Sequence, residues 1–137
     1  GGYIDKFAGD GVMAIFDSDD RTLEACRCAL EIMEITRSEA YVDSSRVLQL
    51  GIGIHGGSAL IGNIGSDKHL DYSVIGETVN LAARLCGCAE PMSIVVSEEV
   101  RRAADGRDGL IFAAPCQVPI RGLKHPITVY NLQQRRD

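Results

Sequence analysis

Two apolar runs open the chain, Tyr3-Ile4-Asp5-Lys6-Phe7 and Val12-Met13-Ala14-Ile15-Phe16, on either side of Gly9-Asp10-Gly11. Apolar runs flanking a Gly-Asp-Gly turn predict a β-hairpin. The period then becomes helical. After Asp17-Ser18-Asp19-Asp20, which offers N-cap residues, Leu23, Cys26, Leu30 and Met33 recur at helical spacing with Ala29 in the same stripe, and the pattern fades near Ser38. Residues 47–55 read as a strand, turned by Gly56-Gly57 into a second strand over 58–64. A short strand over 70–75 leads into a helix over 77–85. A strand over 93–96 follows, and Ser97 is placed to cap a short helix to about Ala103, with Glu98 and Glu99 in its first turn. Short strands near 110–113 and 117–120, and a last one over 127–132, complete the chain. No repeat or linker interrupts this order. Strands mixed with helices, several of them in hairpins, predict an α+β fold with helices on one face of a sheet.

Composition narrows the class of molecule. At 137 residues, 45% hydrophobic and 24% charged, the chain is expected to form one globular domain with its own core. A net charge of -5 argues against general nucleic-acid binding, which asks for a basic surface. No apolar run reaches the length of a membrane span and no signal-peptide pattern opens the chain, so a cytoplasmic domain is expected. Five cysteines, Cys26, Cys28, Cys86, Cys88 and Cys116, include two C-x-C pairs. Zinc sites usually use C-x-x-C spacing, and these pairs fall in or at the end of helical patterns, so reduced thiols are the expectation.

Several residues carry candidate chemistry. Asp10 in a Gly-Asp-Gly turn is a candidate metal ligand, although Asp and Gly also favour tight turns for conformational reasons alone. Lys6, on the strand leading to that turn, is either a solvated strand lysine or a ligand contact. Asn80 and Arg84 lie four residues apart and so share a helix face, where Glu77 joins them. Val79, Leu81, Ala82, Ala83 and Leu85 make the remaining circumference apolar, which predicts a buried helix with a polar stripe that must be satisfied. An internal Glu77–Arg84 ion pair would satisfy it, and so would a ligand. Gly51-Ile52-Gly53-Ile54-His55-Gly56 spells G-x-G-x-x-G, but the glycines lie within a strand and its turn with no helix following, so a dinucleotide site is not expected. His55, His69 and His125 lack a nucleophile arrangement and read as structural or exposed.

The segments from Tyr3 to Phe16 and from Tyr72 to Leu85 resemble the catalytic domain of class III nucleotidyl cyclases, the adenylyl and guanylyl cyclases. The resemblance runs from Tyr3 to about Leu132. It implies a ferredoxin-like palm core (βαββαβ), with helices packed on a mixed or antiparallel sheet. It places a metal-binding aspartate at Asp10, with Mg2+ or Mn2+ as a pair of ions. It gives Lys6 the reading of adenine, where guanylyl cyclases carry an acidic residue. The chemistry is consistent, because adenine N1 accepts a hydrogen bond whereas guanine N1-H donates one. Ser73 takes the companion base-reading position, where Asp or Thr is usual, and keeps the hydroxyl of threonine. The resemblance further implies that Asn80 orients the ribose, that Arg84 stabilises the phosphorus undergoing attack and that Lys124 contacts the terminal phosphates, although a loop lysine is also explained by solvation.

The family's second metal carboxylate belongs to a Phe-x-Asp-Ile-x-Gly-Phe-type strand upstream of these segments. Strand alternation sets Asp5 on the face opposite Lys6, so it is no substitute. Residues 1–137 are therefore expected to be a cyclase catalytic domain without its first strand and upstream metal motif. The implied function is conversion of ATP to cyclic AMP at a site shared across a homodimer, with attached regulatory domains. The alternative is a non-catalytic cyclase-like domain that binds nucleotide or a partner. A diguanylate-cyclase-type palm is disfavoured, because Gly1-Gly2-Tyr3-Ile4-Asp5 does not match Gly-Gly-Asp/Glu-Glu-Phe.

Overall fold

The structure, a computed structural model, describes residues 2–6, 12–42, 50–57, 60–63, 72–75, 77–120 and 123–134. The first two apolar runs form β1 (Gly2–Lys6) and β2 (Val12–Phe16), paired antiparallel from Gly2 opposite Phe16 to Lys6 opposite Val12. The predicted hairpin is present, and the residues that join its strands lie outside the described set. Helix α1 (Arg21–Val42) comes next and runs beyond the predicted fade at Ser38. Its start is held by the Ser18 hydroxyl, which donates to Glu24 at 2.9 Å, and by the Glu24 amide, which donates to the Asp20 carbonyl at 2.9 Å.

The main sheet has four strands in the order β3 (Gly51–Ile54), β6 (Ser93–Ser97), β8 (Ile127–Gln134), β7 (Leu110–Val118). β3 runs parallel to β6, and the other neighbours are antiparallel, so the sheet is mixed. Two more strands, β4 (Leu60–Asn63) and β5 (Tyr72–Ile75), form a separate antiparallel pair, and β5 leads to helix α2 (Glu77–Cys88). The short helix α3 (Glu98–Ala104) comes directly after β6. Gly56-Gly57 therefore does not close a hairpin between β3 and β4. Among the described residues β3 pairs with β6 and β4 with β5, because the turn carries the chain off the main sheet.

Helices cover both faces of the main sheet, which corrects the expectation of one. Ile94 and Val96 of β6 join Leu23, Cys26, Ala29 and Met33 of α1, with Val100 and Ala104 of α3 and Leu110 and Leu132 of the outer strands. Val95, between them in sequence, points the other way and packs with Leu85 of α2 and Val129 of β8. Strand alternation thus feeds two cores from one strand. Burial raises the Cys26 thiol to about 11, so it behaves as a small core residue and not as a ligand.

The second face is built on glycine. Alternate residues of β3, Gly51 and Gly53, face α2, while Ile52 and Ile54 pack toward α1. A Cβ on Gly53 would sit 2.8 Å from both the Ala82 carbonyl oxygen and the Leu85 carbonyl carbon, and one on Gly51 would lie 3.1 Å from the Ala89 Cβ. The helix backbone therefore rests directly on the strand.

Two further differences have local causes. The strands expected at 110–113 and 117–120 are one strand, β7, with a register shift between Ala113 and Cys116. Pro115 has no amide to donate, and a bulge at that point lets pairing resume beyond it. Ser97 stands at the N-cap of α3 in extended geometry, φ -79 and ψ 167, but its hydroxyl makes no cap bond.

The packing of α2 on β3 yields a paired test. Gly53→Ala is expected to cost about 1–3 kcal/mol of stability by overpacking against the helix backbone. Gly56→Ala, with nothing within 4 Å of the new Cβ, is expected to stay within about 0.5 kcal/mol of the parent. Urea denaturation of the two variants beside the parent measures both.

Candidate functional site

Helix α2 is the element that sets up the candidate site. Its contact face, with Leu85 fully buried and Ala82 and Ala89 toward β3, leaves Asn80, Arg84 and Gly87 on an exposed face. The helix is therefore not buried all round, as its apolar composition predicted. Leu81, Ala82 and Ala83 are only half-buried, and Asn80 and Arg84 are exposed. An asparagine amide and a guanidinium thus stand one turn apart on the exposed side of a firmly seated helix. Such a pair suits a polyanionic ligand.

The other sequence candidates are placed less completely. Lys6 ends β1 opposite Val12, on a hairpin that rests on α1 through β2. Ser73 sits in β5 opposite Gly62, on the strand beside α2. Lys124 is exposed between β7 and β8. Asp10 lies outside the described residues. The structure brings Asn80 and Arg84 onto one face and sets the strand of Ser73 next to their helix. It does not bring the hairpin of Lys6 to α2 through any strand pairing among the described residues.

No group of three or more His, Cys, Asp or Glu side chains is placed to hold a metal ion among the described residues. The two C-x-C pairs do not assemble, and all five cysteines are free. A carboxylate such as Asp10 is a hard oxygen donor of the kind that suits Mg2+ or Mn2+.

Two concave surfaces flank the sheet. A cavity of about 290 Å³ lies between Leu81 of α2, Ser97, Glu98, Glu99 and Arg102 at the start of α3, and Ile127 and Thr128 of β8. A wider groove of about 1100 Å³ runs over α1 and the sheet face toward it, past Arg27, Met33, Ile94 and Leu132. The larger one is on the face away from Asn80 and Arg84, so size does not mark the site here.

Around the smaller cavity, local ion pairs order α3 and Tyr130 links it to β8. Arg101 donates to Glu98 at 2.6 Å and to Asp105 at 3.1 Å, and its guanidinium lies 5.2 Å from the centre of the Tyr130 ring. The hydrogen bond from Arg101, and after it one from Tyr130, hold the Glu98 carboxyl down to about 2. Beside Ser97 and Glu99 of this cavity, His55 is partly buried, with 10% of its side chain exposed. Its Nδ1 lies 2.8 Å from the Ser97 hydroxyl and 3.7 Å from a carboxylate oxygen of Glu99. The sequence does not reveal this pairing, since His55 reads there as structural or exposed and Ser97 as a cap. A histidine closing an apolar strand is the available signal.

The comparisons with known proteins bear directly on this arrangement. The model of the adenylate and guanylate cyclase catalytic domain matches residues 5–134. The chain belongs to that family. As a cyclase domain it is similar to the adenylate cyclase of Anabaena cylindrica, with 28% identity over 97% of this chain and 28% of the relative. Among solved structures, the guanylyl cyclase Cya2 superposes with a TM-score of 0.85 at 30% identity, over 97% of this chain and 70% of that one. The adenylyl cyclase CyaB from P. aeruginosa superposes with a TM-score of 0.79 at 28% identity, over 98% and 73%. The α+β class III cyclase fold is thus established for this chain. The cyclase domain spans between 6% and 28% of the length of the first curated relatives it matches. No helix among the described residues is long and apolar enough to cross a membrane.

Burial lowers the proton affinity of His55 below the ordinary 6.5, and Glu99 acts weakly in the opposite direction. The folded domain therefore binds this proton less readily than the unfolded chain. The stability that comes from the neutral ring is complete above about pH 6.5 and is lost as pH falls from there through the lower folded value. Melting temperatures between pH 7.5 and 5 are expected to decline less in His55→Asn than in the parent, since the variant has no ring to protonate.

Proposed function

We propose that this cyclase domain is the catalytic part of an adenylate cyclase that converts ATP to cyclic AMP and pyrophosphate. The observation that carries the reading is the outward Asn80–Arg84 face of α2, seated on the sheet within a chain that matches the cyclase family nearly end to end. Similarity alone does not choose the nucleotide, because an adenylyl and a guanylyl cyclase stand at comparable identity. The choice of ATP rests on Lys6 and Ser73. A lysine donates to the ring nitrogen at which adenine accepts, and a serine hydroxyl accepts from its 6-amino group.

In the proposed reaction, the ribose 3'-oxygen forms a bond to the α-phosphorus while the bond to the β-phosphate oxygen breaks, and the hydroxyl proton is released. Asn80 orients the ribose so that the 3'-oxygen lies in line. Arg84 spreads its donors over the phosphate oxygens, where charge accumulates as the phosphorus becomes five-coordinate. Lys124 holds the terminal phosphates that leave. Asp10 is the residue proposed to hold Mg2+ or Mn2+, ions that when bound supply Lewis-acid stabilisation of the attacking and leaving oxygens.

The site is proposed to form between two copies of the domain, with Asp10 of one and Lys6, Ser73, Asn80 and Arg84 of the other. Support comes from the exposure of the α2 face. One chain carries both sets, which suits a symmetric dimer with two equivalent sites. Residues 1–137 are proposed to be the larger part of that catalytic domain, with the second metal carboxylate on a strand upstream. Regulatory domains attached to it are supported by the far greater length of the curated relatives. A cytoplasmic setting is supported by five unpaired cysteines.

The test is cyclic nucleotide formation by the full-length protein from ATP and from GTP with Mn2+. Cyclic AMP that disappears in Asp10→Ala supports the proposal, and a folded dimer that forms neither product overturns it. Lys6→Glu is expected to lower the ATP-to-GTP ratio, and an unchanged ratio removes Lys6 from base reading. Arg84→Ala is expected to lower kcat by about 3 kcal/mol of transition-state stabilisation, with a smaller change in KM. Steady-state kinetics separate the two.

A further inference from the structure

We propose that His55 is a positioning residue for α2: joined to Ser97, it locks the Gly56-Gly57 turn against Thr78 and so fixes the first turn of the helix that presents Asn80 and Arg84. The significance for catalysis rests on the cyclase reading of those two residues, whereas the mechanical coupling does not.

The geometry begins with the parallel pairing of β3 and β6, which ends with Ile54 opposite Val96. One residue further, His55 and Ser97 meet through Nδ1 and Oγ at 2.8 Å, across a separation of 42 residues. Ser97 is buried at 2% exposed, and 10% of the His55 side chain is exposed. Breaking this hydrogen bond is costly on the serine side, because its hydroxyl would be left without water to replace the imidazole.

The hydroxyl of Ser97 has an ordinary use that it forgoes. It stands at the N-cap of α3 with extended dihedrals, yet makes no cap bond. The side chain is committed to His55 instead. That bond ties the exit of β3 to the junction of β6 and α3, the best-buried part of the sheet, where Val96 and Ser97 are both inaccessible.

The position of His55 matters because of the turn that leaves it. Two residues on, a Cβ added to Gly57 would lie 2.7 Å from the Thr78 hydroxyl oxygen. The turn after His55 therefore rests on the first turn of α2, two residues before Asn80. Gly51 and Gly53 seat the middle and end of the helix, and the turn anchored by His55 seats its beginning. If the ring were free to move, the Gly56-Gly57 turn would lose its fixed end, and with it the orientation of Asn80. Shifts near 1 Å in a positioning group lower turnover by as much as about 100-fold.

The groups that face the imidazole are Ser97 and Glu99 from the β6–α3 junction, with Glu98 and Arg102 lining the neighbouring cavity, while Thr78 lies against Gly57 on the α2 side of the turn. Glu99 at 3.7 Å is 62% exposed, so it is a weak partner and the hydroxyl is the anchor.

The test uses the full-length protein with His55→Leu, His55→Asn and Ser97→Ala. Leucine fills the space without a polar atom, asparagine keeps one near the place of Nδ1, and Ser97→Ala removes the partner without removing a cap. Amide hydrogen exchange is read over residues 81–84, whose amides donate to the carbonyls of the first turn of α2, and, as a reference, over 25–33 of α1. His55→Leu and Ser97→Ala are expected to speed exchange in 81–84 and not in 25–33, and His55→Asn to restore protection. In turnover, kcat is expected to fall by about 10- to 100-fold in the first two variants with KM within about twofold, and to recover with asparagine. Unchanged exchange in 81–84, or equal acceleration in α1, overturns the proposal whether or not the parent is active. Altered exchange with unchanged kcat also overturns it, while an inactive parent counts against the cyclase reading alone.

Discussion

The structure depends on how closely α2 approaches β3. A side chain at position 53 would collide with the backbone of the helix, and one at 51 would press on Ala89. With both absent, Leu85 reaches full burial against Val95 and Val129, and the helix is seated by its apolar side. That seating decides which side of α2 faces outward. Asn80 and Arg84 are presented because the opposite face lies on bare strand backbone. Packing and function are linked here by two missing Cβ atoms.

The same contact explains how β6 comes to be central. It lies between β3 and β8, and its successive residues belong alternately to the α1 side and the α2 side. Its buried Ile94, Val95, Val96 and Ser97 form a continuous run, the pattern of a strand covered on both faces. Ion pairs at the edge add little by comparison. Arg107 reaches Asp20 at 3.4 Å from a largely exposed position, and such pairs contribute about 0–1 kcal/mol.

Much of this is legible in the sequence because the decisive patterns are local. The hairpin, α1, the β5–α2 unit, β6 and α3 all emerge from periodicity and turn residues, and the shared face of Asn80 and Arg84 emerges from their spacing. The misplaced features are non-local. Gly51-Ile52-Gly53-Ile54 reads as a strand with one apolar face and one empty face, and nothing near it announces that a helix 30 residues later fills the empty one. Residues 110–113 and 117–120 read as two strands, since sequence does not show that one strand can carry an extra residue through a bulge and resume its pairing. The His55–Ser97 bond is invisible for the same reason, as it exists only where two distant strands end side by side.

The α1 side of the sheet has a consequence for how the polypeptide is made. The apolar stripe from Leu23 to Met33 is covered by Ile94, Val96, Leu110 and Leu132, which emerge from the ribosome up to roughly 100 residues later. At about 5–20 residues per second, this helix waits some 5–20 s in an unfinished chain before its cover exists. Through that interval Leu23, Cys26, Ala29 and Met33 form an amphipathic surface open to any passing apolar group, and chaperone holding of the nascent domain has its natural target there.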